Sequence, residues 1–136
     1  MDHRILLCDD EPYILRAAEF KLLRAGFEVE CAADGELGWE ALQRQLPTIL
    51  VTDLQMPRLD GVGLVRRIRE HEATQHLHVI MLTAKGFELP REEISKELNV
   101  ARIMCKPFSP RELVATVQQL INDTADTQPY SVELAR

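Results

Sequence analysis

No apolar run in this 136-residue chain approaches the roughly 20 residues that a membrane-spanning helix requires, so a helical span within it is excluded. An excess of positive charge is also missing. Sixteen Lys and Arg stand against 22 Asp and Glu, a net charge of -6, which argues against broad binding to nucleic acid or anionic membrane surfaces. The chain has three cysteines, Cys8, Cys31 and Cys105, and no CxxC spacing. An odd count without ligand spacing argues against a disulfide framework and a structural zinc site. All three sit at or near the ends of apolar runs, and reduced thiols buried as small hydrophobes are expected. Met1-Asp2-His3-Arg4 leads directly into a strand-like segment with no signal-peptide pattern, which points to a cytoplasmic protein. There is no internal repeat and no low-complexity tract, and the length suits one domain.

What is present is a series of short apolar runs, each ending in polar residues. Asp9 and Asp10 follow Arg4-Ile5-Leu6-Leu7-Cys8, and Asp53 closes Thr48-Ile49-Leu50-Val51-Thr52. Thr83 follows Val79-Ile80-Met81-Leu82, and Lys106 follows Ile103-Met104-Cys105. If those runs are parallel strands, five polar side chains gather at one edge of one sheet, where open α/β sheets bind ligands.

Helix-like segments alternate with these runs. The first opens at Glu11-Pro12, with Pro12 suited to the first turn and Glu11 to the helix dipole; Leu15, Ala18 and Leu22 form its apolar stripe and Gly26 stops it. Phe27 to Cys31 alternates as an edge strand does. Asp34-Gly35 is a turn before a second helix carrying Leu37, Ala41 and Leu42, which ends before Pro47. The Met56-to-Gly61 loop precedes a third helix with Leu64, Val65 and Ile68. After a strand at Val79 to Leu82, Lys85-Gly86-Phe87-Glu88 leads into a short charged helix from Pro90 to about Leu98, with Ile94 and Leu98 facing in. A fifth strand spans Arg102 to Cys105, and Ser109-Pro110-Arg111-Glu112 is a capping box opening a fifth helix with Leu113, Val117, Leu120 and Ile121 inward. The pattern predicts an α/β fold, a (βα)5 doubly wound parallel sheet. The domain is expected to cover residues 1–123, with 124–136 a polar C-terminal tail and no output domain.

The chemistry of the five residues is coherent. Carboxylates held close together repel one another unless a cation intervenes, and a hard, oxygen-liking ion such as Mg2+ resolves that repulsion. Asp9 and Asp10 leave the first strand together, while Asp53 comes from the neighbouring strand and can offer an oxygen to phosphorus as a nucleophile. Lys106 neutralises charge on a phosphoryl group, and Thr83 supplies a hydroxyl donor.

Asp9-Asp10-Glu11, Asp53 with Met56-Pro57 and Asp60-Gly61, Thr83-Ala84, and Lys106-Pro107-Phe108 together resemble the receiver domain of two-component response regulators, over roughly residues 4–123. The resemblance implies a flavodoxin-like sheet of order 2-1-3-4-5 and a phosphorylation-activated signalling switch. Asp53 would be the phosphoacceptor, and a sensor histidine kinase or histidine phosphotransfer protein the donor. Mg2+ would be held directly by Asp10 and Asp53 and by the backbone carbonyl of Gln55, and mainly through water by Asp9. Thr83 would be the switch hydroxyl, Ala84 the small residue leaving the site accessible, and the Lys106-Pro107 peptide would be cis. Gln55 and Lys85 occupy positions that tune acyl-phosphate lifetime. A downstream protein would bind the face made by the fourth helix, fifth strand and fifth helix, with no direct nucleic-acid contact.

Two departures stand out. Ile103 replaces the usual Tyr or Phe of the switch, and Ala101-Arg102 replace acids that take part in one common dimer, which lowers the expectation of that dimer. Trp39 is expected to be half-buried, His71, His76 and His78 to be solvated around a loop, and the charges Arg91, Glu92, Glu93, Lys96 and Glu97 to form a solvated face. Three alternatives carry different expectations. The chain is a receiver fragment of a longer regulator with a DNA-binding or enzymatic output domain, or a pseudo-receiver that binds partners without phosphorylation. The third, an aspartyl-phosphate hydrolase, is disfavoured because Gln55 stands where such enzymes carry a second Asp as acid/base. The expected protein is therefore not an enzyme on external substrates, though it assists its own phosphorylation and autodephosphorylation.

Overall fold

The computed structural model describes residues 3–84 and 91–126, without the side chains of 91–94 and 125–126. Lys85 and the loop it begins, the side chain of Ile94, the helix charges at 91–93 and the tail at 127–136 lie outside the described residues. The elements alternate strictly: β1 (Arg4–Cys8), α1 (Pro12–Arg24), β2 (Glu28–Ala32), α2 (Gly35–Arg44), β3 (Ile49–Asp53), α3 (Gly61–Glu70), β4 (His78–Ala84), α4 (Arg91–Leu98), β5 (Arg102–Lys106) and α5 (Pro110–Asp126). The five strands form one parallel sheet of order β2-β1-β3-β4-β5. The (βα)5 architecture is the expected one.

Burial follows the sheet order. All five residues of the central β3 are buried, whereas the edge strand β2 is mostly half-buried. The sheet separates two apolar layers. Leu6, Leu50, Val79 and Met81 face α2, α3 and α4 with Leu42, Leu64, Ile68 and Leu98. Ile5, Val51, Ile80 and Leu82 face α1 and α5 with Leu22, Leu113 and Val117. Side chains of period 2 in the strands thus meet helical stripes on both faces.

Local chemistry sets the helix ends. Asp34 and Asp60 cap α2 and α3, accepting from the N–H groups of Leu37 and Gly63 at 2.8 Å. The capping box of α5 forms in both directions, Glu112 N–H to Ser109 Oγ at 3.1 Å and Ser109 N–H to Glu112 Oε1 at 3.3 Å. The Arg69 guanidinium donates to the carbonyls of Gln75, Leu77, Leu98 and Asn99 at 2.7–3.1 Å, tying α3 and the start of β4 to the end of α4.

Several sequence expectations are corrected. Leu37 is exposed, because α2 turns Gly35, Gly38, Ala41 and Leu42 inward. A Cβ on Gly38 would lie 2.6 Å from Cys8 Sγ, so this helix sits too close to β1 to bury a larger face. Cys8 is buried and Cys31 half-buried, but Cys105 is exposed, since β5 is an edge strand. β4 is longer than expected, and His78 is its half-buried first residue, with burial and the nearby Arg69 holding its pKa below the ordinary value. The α5 helix continues past 123 to Asp126. Its last turns are held by Arg102–Asp123 at 2.5 Å, Gln119–Asp123 at 2.9 Å and the Thr124 hydroxyl on the Ile121 carbonyl at 3.0 Å. Trp39 is half-buried as expected, tilted against His71 at 4.8 Å with Arg67 over its ring.

Candidate functional site

Parallel strands point the same way, so the C-terminal residues of β1, β3, β4 and β5 converge at one sheet edge. Asp53 ends β3, and the chain is pinned just after it by Leu54 N–H on the Leu82 carbonyl at 2.9 Å and Gly61 N–H on the Leu54 carbonyl at 2.8 Å. These bonds fold the 54–60 loop back across the strand end and fix where the Asp53 carboxylate can lie.

Asp9, Asp10 and Asp53 each offer an oxygen within 4.8 Å of the others. Asp9 and Asp53 are buried and Asp10 is exposed. Lys106 sits among them, its Nζ 2.8 Å from Asp9 Oδ2, 2.8 Å from Glu11 Oε1 and 3.1 Å from Asp53 Oδ2. Asp9 Oδ1 accepts the Glu11 N–H at 2.9 Å. Asp9 Oδ2 is buried and, among the described residues, accepts no well-directed hydrogen bond, so its 2.8 Å approach to Lys106 is a charge contact. Beside this cluster is a cavity of about 280 Å³ lined by Asp10, Glu11, Asp53, Gln55, Ala84 and Lys106. A buried, under-bonded carboxylate oxygen and three carboxylates around one space fit a hard cation with oxygen ligands.

Electrostatics agree with that fit. Burial pushes the Asp9 carboxyl above the ordinary carboxylate value, against the pull of Lys106 and the Glu11 N–H. Burial, followed by the negative charge of Asp9, does the same to Asp53. Burial alone would lower Lys106, but its contacts with Asp9, Glu11 and Asp53 outweigh it and hold the ammonium charged. A carboxyl whose pKa is raised on folding costs stability once pH rises through that value, and costs none below the ordinary carboxylate range. Asp53→Asn should therefore be more stable than wild type at neutral pH without divalent cations. Its advantage should disappear as pH falls below about 4. Thermal melts in chelator across pH 3.5–7.5 check this; an advantage independent of pH would contradict the charge assignment.

Four of the five residues singled out in the sequence, Asp9, Asp10, Asp53 and Lys106, meet in one cluster. The fifth, Thr83, is buried at the end of β4 beside it but is not among the residues lining the cavity. Its hydroxyl donates instead to Cys105 Sγ, 3.7 Å away on β5. Ala84 and Gln55 line the cavity, Ile103 is half-buried against the α2–α4 layer, and the Lys106-Pro107 peptide is cis. The sequence assigns Glu11 no side-chain role beyond the helix dipole of α1 and its place in the Asp9-Asp10-Glu11 motif. Glu11 makes no side-chain cap and binds Lys106 instead. The signal available was its place as third acid in Asp9-Asp10-Glu11.

Comparison with known proteins agrees with this geometry. The family model for the response regulator receiver domain matches residues 5–118. The transcriptional regulatory protein SrrA of Staphylococcus aureus is 37% identical over 93% of this chain and 51% of its own length. The alkaline phosphatase synthesis transcriptional regulatory protein PhoP of Bacillus subtilis is 33% identical over 96% of this chain and 53% of its own length. This chain thus spans about half the length of the curated relatives it matches. Among solved structures, the chemotaxis response regulator CheY4 of Vibrio cholerae superposes with a TM-score of 0.80 at 26% identity, covering 88% of this chain and 98% of that one.

Proposed function

This chain belongs to the response regulator receiver domain family, and from that premise we propose that it is a phosphorylation-activated switch with Asp53 as acceptor. Receiver domains are signalling switches rather than enzymes acting on external substrates. The observation that carries the reading is the Asp53 carboxylate at the wall of a cavity, 3.1 Å from Lys106 and within 4.8 Å of two further carboxylates. An Asp53 oxygen attacks phosphorus while the bond to the donor breaks; with a phosphohistidine donor, the imidazole nitrogen leaves with the bonding pair. An ionised Asp needs no general base, and Gln55 at the cavity wall offers none.

Asp10, Asp53 and the Gln55 carbonyl would hold Mg2+, with Asp9 acting through water. When bound, the ion neutralises charge on the phosphoryl oxygens. Lys106 neutralises the same charge from the protein side, which requires it to loosen its hold on Glu11. The Thr83 hydroxyl then turns to a phosphoryl oxygen. Ile103 follows, but burying such a side chain is worth only about 1.5–3 kcal/mol, whereas reversing a 1:99 equilibrium takes about 5.5 kcal/mol. Most of the bias comes from Thr83 and Lys106. The donor is a sensor histidine kinase or phosphotransfer protein, the setting is cytoplasmic, and the downstream protein meets the α4–β5–α5 face. Among the described residues no helix is long and apolar enough to cross a membrane.

Titration with Mg2+ followed by beryllofluoride, read by amide chemical shifts, tests the reading. Wild type should respond to beryllofluoride only with Mg2+ present. Asp10→Asn should weaken Mg2+ binding by about tenfold or more, since it removes one of the negative charges that hold the ion, discounted for the exposure of Asp10. Unchanged Mg2+ affinity in Asp10→Asn would remove that residue from the metal site. The twofold length of the curated relatives favours a second reading, in which this chain is the receiver part of a longer regulator with its own output domain. The coding sequence downstream of residue 136 separates the two.

A further inference from the structure

Thr83 and Cys105 are partners in the parallel register of β4 and β5. Registered neighbours place their side chains on the same face of the sheet, directly beside one another. Thr83 is buried, and its hydroxyl donates to Cys105 Sγ at 3.7 Å rather than lining the cavity that holds Asp53. A hydroxyl carries one proton to donate, so it cannot serve a sulfur on β5 and a phosphoryl oxygen on Asp53 at once. The strand neighbour is therefore a competing acceptor for the group that reads phosphorylation.

We propose that Cys105 is a positioning residue whose sulfur holds the Thr83 hydroxyl on the β5 side in the resting protein and so raises the threshold for switching. The inference rests on the reading of Thr83 as the switch hydroxyl. Sulfur is a weak acceptor, which suits the role: the hold is easily broken by a charged phosphoryl oxygen, whose hydrogen bonds are roughly twice as strong as neutral ones. A stronger acceptor at 105 tightens the hold, and no acceptor releases it. The exposure of Cys105 makes its side chain replaceable without opening a core cavity.

The test is a double-mutant cycle on beryllofluoride binding at saturating Mg2+, with wild type, Cys105→Ala, Cys105→Ser, Thr83→Ala and the Thr83→Ala/Cys105→Ala pair. Cys105→Ala should bind beryllofluoride on the order of threefold to tenfold more tightly, the range expected from losing one neutral hydrogen bond in the resting state. Cys105→Ser restores an acceptor and should return affinity to the wild-type value or weaker. In the Thr83→Ala background, Cys105→Ala should have a clearly smaller effect than in wild type, because the competed donor is gone. The same change in both backgrounds, or an unchanged Cys105→Ala, would overturn the proposal. If wild type itself gives no Mg2+-dependent response, the receiver reading of the site fails, and this inference falls with it.

Discussion

Lys106→Met should lower stability by about 3 kcal/mol in chelator, and Mg2+ should return much of that loss. Removing one partner of a buried ion pair typically costs about 3–5 kcal/mol, because the other charge is left uncompensated. Here the abandoned charges are Asp9, almost fully buried, and Asp53, with Glu11 beside them. The methionine keeps the stem's bulk, so the loss is electrostatic and not a cavity. A divalent ion supplies the missing positive charge, and one present at about 100 times its dissociation constant stabilises by roughly 2.7 kcal/mol. The variant should therefore bind Mg2+ more tightly than wild type while failing to respond to beryllofluoride as wild type does. Its deficit should also shrink as pH falls and the raised carboxyls of Asp9 and Asp53 take up protons. Thermal melts with and without Mg2+ decide this; equal stability of variant and wild type in chelator would mean that Lys106 is not the counter-ion of the cluster.

Gly61→Ala should cost about 3 kcal/mol or more, with a fall in melting temperature on the order of 10 °C. A Cβ there would lie 2.2 Å from the Asp53 carbonyl oxygen and 2.9 Å from Leu54 Cα. Both are backbone atoms in the segment that carries the phosphoacceptor, and neither can yield without moving the end of β3 or the start of α3. The same substitution two residues on is a useful control. At Gly63 the new Cβ would meet Leu59 Cδ1 at 2.8 Å and the capping Asp60 Oδ1 at 3.2 Å, side-chain atoms that can give way where the backbone at Gly61 cannot. Helix propensity favours Ala over Gly by about 1 kcal/mol, so Gly63→Ala should be close to neutral. If the two variants melt together, close packing of α3 against the Asp53 backbone is not what fixes the site.

The polar strand ends were legible because their positions are a property of the chain itself. A parallel (βα)5 sheet must bring Asp9, Asp10, Asp53 and Lys106 to one edge, whatever the loops do. The α5 start was legible for a similar reason, since Ser109, Pro110 and Glu112 act within one helical turn. What escaped depends on which element lies beside which. Cys105 reads like Cys8 in sequence, as a thiol after an apolar run, but Cys8 lies in an inner strand and Cys105 in an edge strand. Leu37 fits a helical stripe, yet the contact of α2 is set by Gly35 and Gly38, whose missing side chains leave no apolar signal. Glu11 reaches Lys106, 95 residues away, a pairing that no local pattern contains. The sequence ends α5 near 123 because the contacts that hold its last turns, Arg102 from β5 and Thr124 on its own helix, leave no local pattern.

Phosphoryl acceptance by Asp53 is the central claim, and intact-mass spectrometry with acetyl phosphate tests it most directly. Wild type incubated with acetyl phosphate and Mg2+ should gain one phosphoryl group, acetate leaving as the acyl phosphate forms. It should gain none in chelator, and Asp53→Asn should gain none in either condition. Labelling of Asp53→Asn to the wild-type extent would contradict the assignment of the acceptor, and a wild type that stays unlabelled with Mg2+ present would contradict the switch itself.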